Sequence, residues 1–363
     1  MNRYLERVLS IFKRREFGMF VALLVLCGGL GLSNPDFLGQ SNVVNTVRQI
    51  AMLGILAVGI SFVIMTGGID LSIGSIVGLT GVIIAKISSE SPECFGQSYW
   101  VGISAALGAA LLIGLIQGLL ITQLKLQPFI ITLGFMLLVR GVSQTIVRGG
   151  TLGFGRSAFG RFADTGLFNV NGSAILPYPL LIFLVVVAVA IFALHFTVFG
   201  RYVYAIGGNR DAAEYSGIAV RKVEAATYVI SAGLAGVAGI CYAAYIKQMS
   251  QQVGIAFELY AIAAAVLGGV SLRGGEGTVV GIIIGATIMK VIDNGITMFQ
   301  FNYHDGQGIS RIWRLDNNWV YIIIGAVILI AVILDQVVHL VQAKRRTRKA
   351  AQTPKPEPLA ATV

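Results

Sequence analysis

The sequence predicts an all-α polytopic membrane protein of about ten crossings, with both ends on the cytoplasmic side. Composition is the first observation behind that class. Of 363 residues, 56% are hydrophobic and only 12% charged, where a soluble domain carries roughly 25% charged residues. Mean hydropathy is +0.80. The second observation is distribution: the apolar residues gather into runs approaching the ~20 needed to cross a bilayer as helix. Glycine, at 45 residues, also exceeds its usual share of ~7%. That excess is expected where membrane helices pack closely or break near a pathway.

The elements follow in order. Residues 1–17 are basic, with Arg3, Arg7, Lys13, Arg14 and Arg15 ahead of a first span at 18–33. This start is similar to a signal-peptide n-region, but no small-residue cleavage pattern follows and further spans do, so the first helix is expected to be retained. Spans are next expected at 46–66 and 71–88, parted by a Gly-Gly break, and then at 100–123 and 128–147. An external loop, 148–177, leads to a span at 178–198, after which a polar stretch, 199–222, interrupts the apolar pattern. The last spans are expected at 223–246, 257–271, 277–297 and 319–341, with a second external loop at 298–318. The transmembrane domain therefore covers 18–341, and the basic tail 342–363, rich in Ala, Thr and Pro, is expected to be disordered.

Charge sets the orientation. Lys and Arg cluster in the N-terminus, in 199–222 (Arg201, Arg210, Arg221, Lys222) and in the tail from Lys344 to Lys349. The opposite loops hold only Arg148, Arg156, Arg161, Arg311 and Arg314. The positive-inside bias places both termini and the 199–222 stretch in the cytoplasm. The net charge of +10 is thus a topology signal, and with no basic patch interleaved with aromatics no nucleic-acid partner is expected.

Catalytic and metal sites are not expected. Cys27, Cys94 and Cys241 are widely spaced, and His195, His304 and His339 offer no zinc pattern. No G-x-x-x-x-G-K-[ST] occurs, so active transport needs either an ATPase on another subunit or an ion gradient. Asp70 and Asp293 are the carboxylates best suited to an ion-driven carrier.

The residues of interest fall into three groups. Within 199–222, Gly207 and Gly208 precede Asn209, which suits a helix cap, with Asp211 in the first turn and Gly217 as a stop. Ala213 and Gly217, four residues apart, are expected on one face that permits close approach by a partner, with Arg210, Asp211 and Glu214 setting register by charge. The second group is a repeat: Gly67-Gly68-Ile69-Asp70-Leu71-Ser72 is echoed by Gly268-Gly269-Val270-Ser271-Leu272-Arg273. Duplicated breaks of this kind mark a pathway in transporter halves. The third group is polar: Asp70, Gln117, Asn294 and Glu258 lie in or beside apolar spans. For Asp70 both capping of the third helix and contact with a solute are open. For Gln117 and Asn294 the choice is interhelical bonding or pore lining, and Glu258 either snorkels or faces the pathway.

Four stretches together resemble the bacterial ABC-importer permeases for ribose, galactose, arabinose and related sugars. They are Gly67 to Ser72, Pro128-Phe129-Ile130-Ile131-Thr132-Leu133-Gly134, Gly200-Arg201 to Gly217, and Ala261 to Gly275 with Leu267-Gly268-Gly269. The resemblance covers about 17–341. It implies an inner-membrane subunit without cofactor of its own, paired with a second permease copy or paralogue. It also implies a periplasmic sugar-binding protein as donor, a cytoplasmic ATP-binding subunit as motor, and a coupling role for 209–217. The chain departs from the family with Gln117-Gly118 in place of Asn-Gly, and with Tyr260 where an aspartate is usual. The alternative is a secondary carrier driven by an ion gradient.

Overall fold

The computed structural model describes residues 15–89, 94–154, 158–170, 173–304, 310–314, 318–330, 332–333 and 336–337. The N-terminal basic residues up to Arg14, the tail from 341 and Asp305 in the second external loop lie outside them.

Among the described residues, seven helices are long and apolar enough to cross a membrane. They are α1 (Arg15–Ser33), α2 (Gln40–Met65), α4 (Tyr99–Gln123), α5 (Pro128–Val147), α7 (Tyr178–Phe196), α10 (Val220–Ile246) and α12 (Val279–Met298). Three shorter apolar helices, α3 (Ile73–Ser88), α11 (Phe257–Leu267) and α13 (Asn318–Ile330), fill the remaining expected positions. Two further short helices, α8 (Val198–Gly208) and α9 (Arg210–Tyr215), lie in the polar stretch, and α6 (Ala158–Phe162) in the first external loop.

The core is built around α2. Every residue from Ala51 to Met65 is buried, as expected of a helix that is apolar on all sides. Helices α7, α10, α11 and α12 surround it. Small residues set the close approaches: Gly59 faces Ser231 and Leu234 of α10, while Gly114 and Gly118 of α4 meet the α10 backbone at Tyr228 and Ala225. With lipid outside, such packing takes the place of a hydrophobic drive between helices.

The span expected at 257–271 is shorter in the structure: α11 ends at Leu267, ahead of the Gly268-Gly269 break, and the stretch before it is non-helical. Residues 249–258 run along α3 as a non-helical segment followed by the start of α11. Gly81, Gly78 and Gly74 lie in turn beneath Met249, the Val253 carbonyl and the Gly254–Glu258 turn, so the lack of a side chain at each step admits the passing backbone. The Arg140 Nη2 donates to the Gly254 carbonyl at 3.4 Å. Non-helical backbone at membrane depth is tolerated only when protein covers it or a cavity receives it. Only 11 residues then remain for α11, about 16 Å of helix, half of a bilayer core.

Strands, absent from the expectation, appear on the external side. β1 (Thr151–Gly153) pairs antiparallel with β4 (Gln248–Ser250), Thr151 opposite Ser250. Two hairpins join β2 (Gly166–Val170) to β3 (Ser173–Pro177) and β5 (Gln300–His304) to β6 (Ser310–Arg314). The β1–β4 pairing ties the loop after α5 to the exit of α10, in agreement with both facing one side.

Candidate functional site

At the opposite end the polar stretch forms a compact bracket. Thr197 caps α8 by accepting from Gly200 N at 3.3 Å, and α8 buries Gly200, Val203 and Ile206. Asn209 caps α9, its Oδ1 accepting from Ala212 N at 2.9 Å. The helix ends in a Schellman turn: Ile218 N donates to Ala213 O and Gly217 N to Glu214 O. Gly217 stands at φ +83°, the left-handed region that glycine enters at no steric cost. The cap and the stop thus lie where the sequence pattern put them.

The end of α2 and the turn after α11 meet under this bracket. Gly275 N donates to Met65 O at 2.9 Å, joining the end of α2 to the turn after α11. Gly207 rests on both, and a Cβ there would overlap Met65 O and Gly275 N. Tyr204 Oη donates to Gly277 O at 2.9 Å. The first break therefore meets the turn that follows the second, with Gly274 against Gly67 N, and α8 is docked on this seat at the cytoplasmic end.

The charges and the small residue of α9 are placed differently from the expectation of one outward face. Ala213 is buried, at 4% exposure, because α9 packs it against the protein, so it is not available to a partner. Gly217 is exposed. Arg210 is engaged within the chain: its Nε donates to Glu224 Oε1 at 2.8 Å and its Nη2 to Oε2 at 3.3 Å, with Glu214 at 3.6 Å. The Glu224 carboxylate holds that guanidinium above its ordinary pKa. A bidentate pair of this kind is a latch between α9 and α10. What α9 presents outward is Asp211, Glu214 and above all Tyr215, 92% exposed. Residue type alone does not distinguish the face that α10 will cover, which is why Tyr215 escaped notice.

The polar residues of the spans separate into distinct settings. Asp70 is fully buried in the first break. Its Oδ1 accepts from Ser72 N at 2.9 Å and Ser72 Oγ at 2.6 Å, and its Oδ2 from Ser231 Oγ at 2.8 Å. Gln117 is also fully buried, 3.2 Å from Ser72 Oγ. The single Ser72 proton is already given to Asp70, so the Gln117 amide nitrogen, not its oxygen, belongs toward Ser72. Ser72 rather than Asp70 is the N-cap of α3, and Asp70 ties the break to α10. Asn294 exchanges two 2.9 Å bonds with Asn42, which fixes α12 to α2. Glu258, in the first turn of α11, is buried against Gly74.

None of these four lines the cavity in the external half. That cavity, about 290 Å³, lies among α2, α10, α11, α12 and α13, with Gln49, Tyr242, Tyr245, Tyr260, Lys290 and Asp293 in its wall.

Comparison with known proteins follows the same direction. Residues 42–332 match the family described as branched-chain amino acid transport system, permease component. The ribose import permease protein of Escherichia coli K12 is 37% identical over 316 residues, covering 87% of this chain and 92% of the relative. The ribose import permease protein of Bacillus subtilis is 36% identical, covering 89% and 93%. The galactose/methyl galactoside import permease protein of E. coli K12 is 35% identical, covering 88% and 94%. No solved structure matches the chain.

Proposed function

Because this chain belongs to the permease-component family of ABC importers and is similar over most of its length to ribose and galactose import permeases, we propose that it forms the translocation pathway of an ATP-driven sugar importer. It is a multi-pass protein of the inner membrane. The solute is a monosaccharide or similar small polar molecule, handed over by a periplasmic binding protein. ATP is bound and hydrolysed by a cytoplasmic partner, and a second permease copy or paralogue completes the pathway.

The observation that carries the mechanical part of this reading is the bracket of α8 and α9. An ATPase that grips α9 pulls on Gly207, and through it on the ends of α2 and of the α11–α12 turn together. Both breaks then move as one. Tyr215, projecting from α9, is the knob for a socket on the ATPase, and the Arg210–Glu224 latch passes the movement to α10. Asp70, bonded to Ser231, links the first break to the middle of α10 and is a positioning residue.

Reconstitution in proteoliposomes tests the reading. Uptake of D-ribose or D-galactose requires the co-encoded ATPase, the binding protein and ATP, and persists when an ionophore collapses ion gradients. Uptake by the chain alone that an ionophore abolishes would assign it to the secondary carriers.

A further inference from the structure

The cavity in the external half has a construction of its own. It opens beside the non-helical segment that precedes α11: Ile255 and Phe257 belong to its wall. Discontinuous membrane helices place binding sites where their backbone unwinds, and irregular backbone at depth is tolerated where it lines a cavity. The volume of about 290 Å³ lies near the lower end of ligand pockets, about 300 Å³. That is space for one monosaccharide-sized solute.

The wall has two chemistries. One is aromatic: Tyr242 meets Phe257 edge-on with centroids 4.9 Å apart, and Tyr245 lies 6.3 Å from Tyr242. The other is polar. Lys290 Nζ donates to Asp293 Oδ2 at 2.8 Å, and the same ammonium lies 5.5 Å from the centre of the Tyr260 ring. Tyr245 Oη donates to Asn45 Oδ1 at 2.8 Å and accepts from Gln49 Nε2 at 3.4 Å. The polar groups are held in place by one another before any solute arrives.

We infer that this cavity, between α2, α10, α11, α12 and α13, is a transit site for a neutral polyhydroxylated solute, with the Lys290–Asp293 pair as its hydrogen-bonding edge and the Tyr242–Phe257 corner as its apolar face. The inference rests on the importer reading above and gives it a location. The charges cancel within the wall, so the site offers no net charge to an anion or a cation. A singly charged solute finds its counter-charge already neutralised in the 2.8 Å pair. Adjacent hydroxyls donate to the free oxygen of Asp293 and accept from the remaining protons of Lys290. Tyrosine faces accept the C–H face of a sugar ring while their hydroxyls stay bonded. Tyr260 takes part by capping the ammonium, a task for an aromatic ring.

The test uses the full-length chain with its ATPase in membranes, Cys27, Cys94 and Cys241 replaced by alanine, and Met52→Cys placed in the cavity wall as a reporter. The rate of its labelling by a small methanethiosulfonate is read with and without solute. D-ribose or D-galactose at saturation is expected to slow labelling by about tenfold, the singly charged D-gluconate to leave it unchanged, and Asp293→Asn to remove the sugar protection, since a hydrogen bond to a charged group is worth about that factor. A rate indifferent to the sugars, equal protection by D-gluconate, or a thiol that never reacts overturns the site. ATP-driven uptake in the same membranes separates the two readings. Protection without uptake contradicts the importer and keeps the site, whereas uptake without protection contradicts the site alone.

Discussion

Ala213 decides which side of α9 belongs to the protein. At 4% exposure it has room for a methyl and no water for a charge. Ala213→Asp places an unpaired carboxylate in that contact and is expected to lower stability by several kcal/mol, visible as a loss of folded protein in detergent. The sequence had marked this position as part of a face open to a partner. Its direction depends on α10, which no local pattern reports. The cap at Asn209 and the stop at Gly217 were legible for the opposite reason: both are determined within the helix they bound. Asp70 is intermediate. Its importance could be read from a carboxylate between glycines in an apolar chain, but its partner Ser231 lies 161 positions away. Asp70→Ala strands the Ser72 amide and two hydroxyls, at about 1–3 kcal/mol for each donor left buried and unpaired. Thermal unfolding of the purified chain reads that loss.

Among elements, the junction of α8 and α9 with the two breaks carries the argument. Gly207→Ala drives a methyl into Met65 O and Gly275 N. Neither backbone can yield without moving α2 or the turn after α11. The expected cost is about 1–3 kcal/mol, as for an overpacked core, together with loss of uptake. The Arg210–Glu224 latch is weaker, since the arginine side chain is 45% exposed and water screens the pair. A double-mutant cycle on Arg210→Gln and Glu224→Gln is expected to give a coupling of roughly 0.2–1 kcal/mol. The sequence revealed the echo of the two breaks but not that the first touches the turn after the second. It also carried the 257–271 span past Leu267, because hydropathy is blind to whether apolar backbone is helical. The glycines of α3 that receive the unwound segment were visible only as part of a general glycine excess.

For the whole molecule, legibility was highest. The charge asymmetry placed 199–222 opposite the loops at 148–177 and 298–318. In the structure the first of these meets Met65 and Gly275 at one end, while β1 and β4 pair at the other. The ten apolar segments occur in the expected order, seven of them as helices long enough to cross. External strands were missed because short ribbons between spans leave little periodicity to read. On the proposed function the molecule is a transmission at this scale: a cytoplasmic bracket seated on the end of α2 and the turn after α11, the latter reached from the half-helix beside the external cavity. The claim at its centre is that an ATPase drives the bracket through the exposed face of α9. The most direct measurement is co-purification and ATP-driven uptake by a complex carrying Tyr215→Ala. Since Tyr215 is 92% exposed, the permease is expected to fold with unchanged stability, while loss of an aromatic anchor worth about 2 kcal/mol or more weakens the ATPase contact some thirtyfold and uptake falls with it. A Tyr215→Ala complex that holds its ATPase and transports at the full rate would contradict the account.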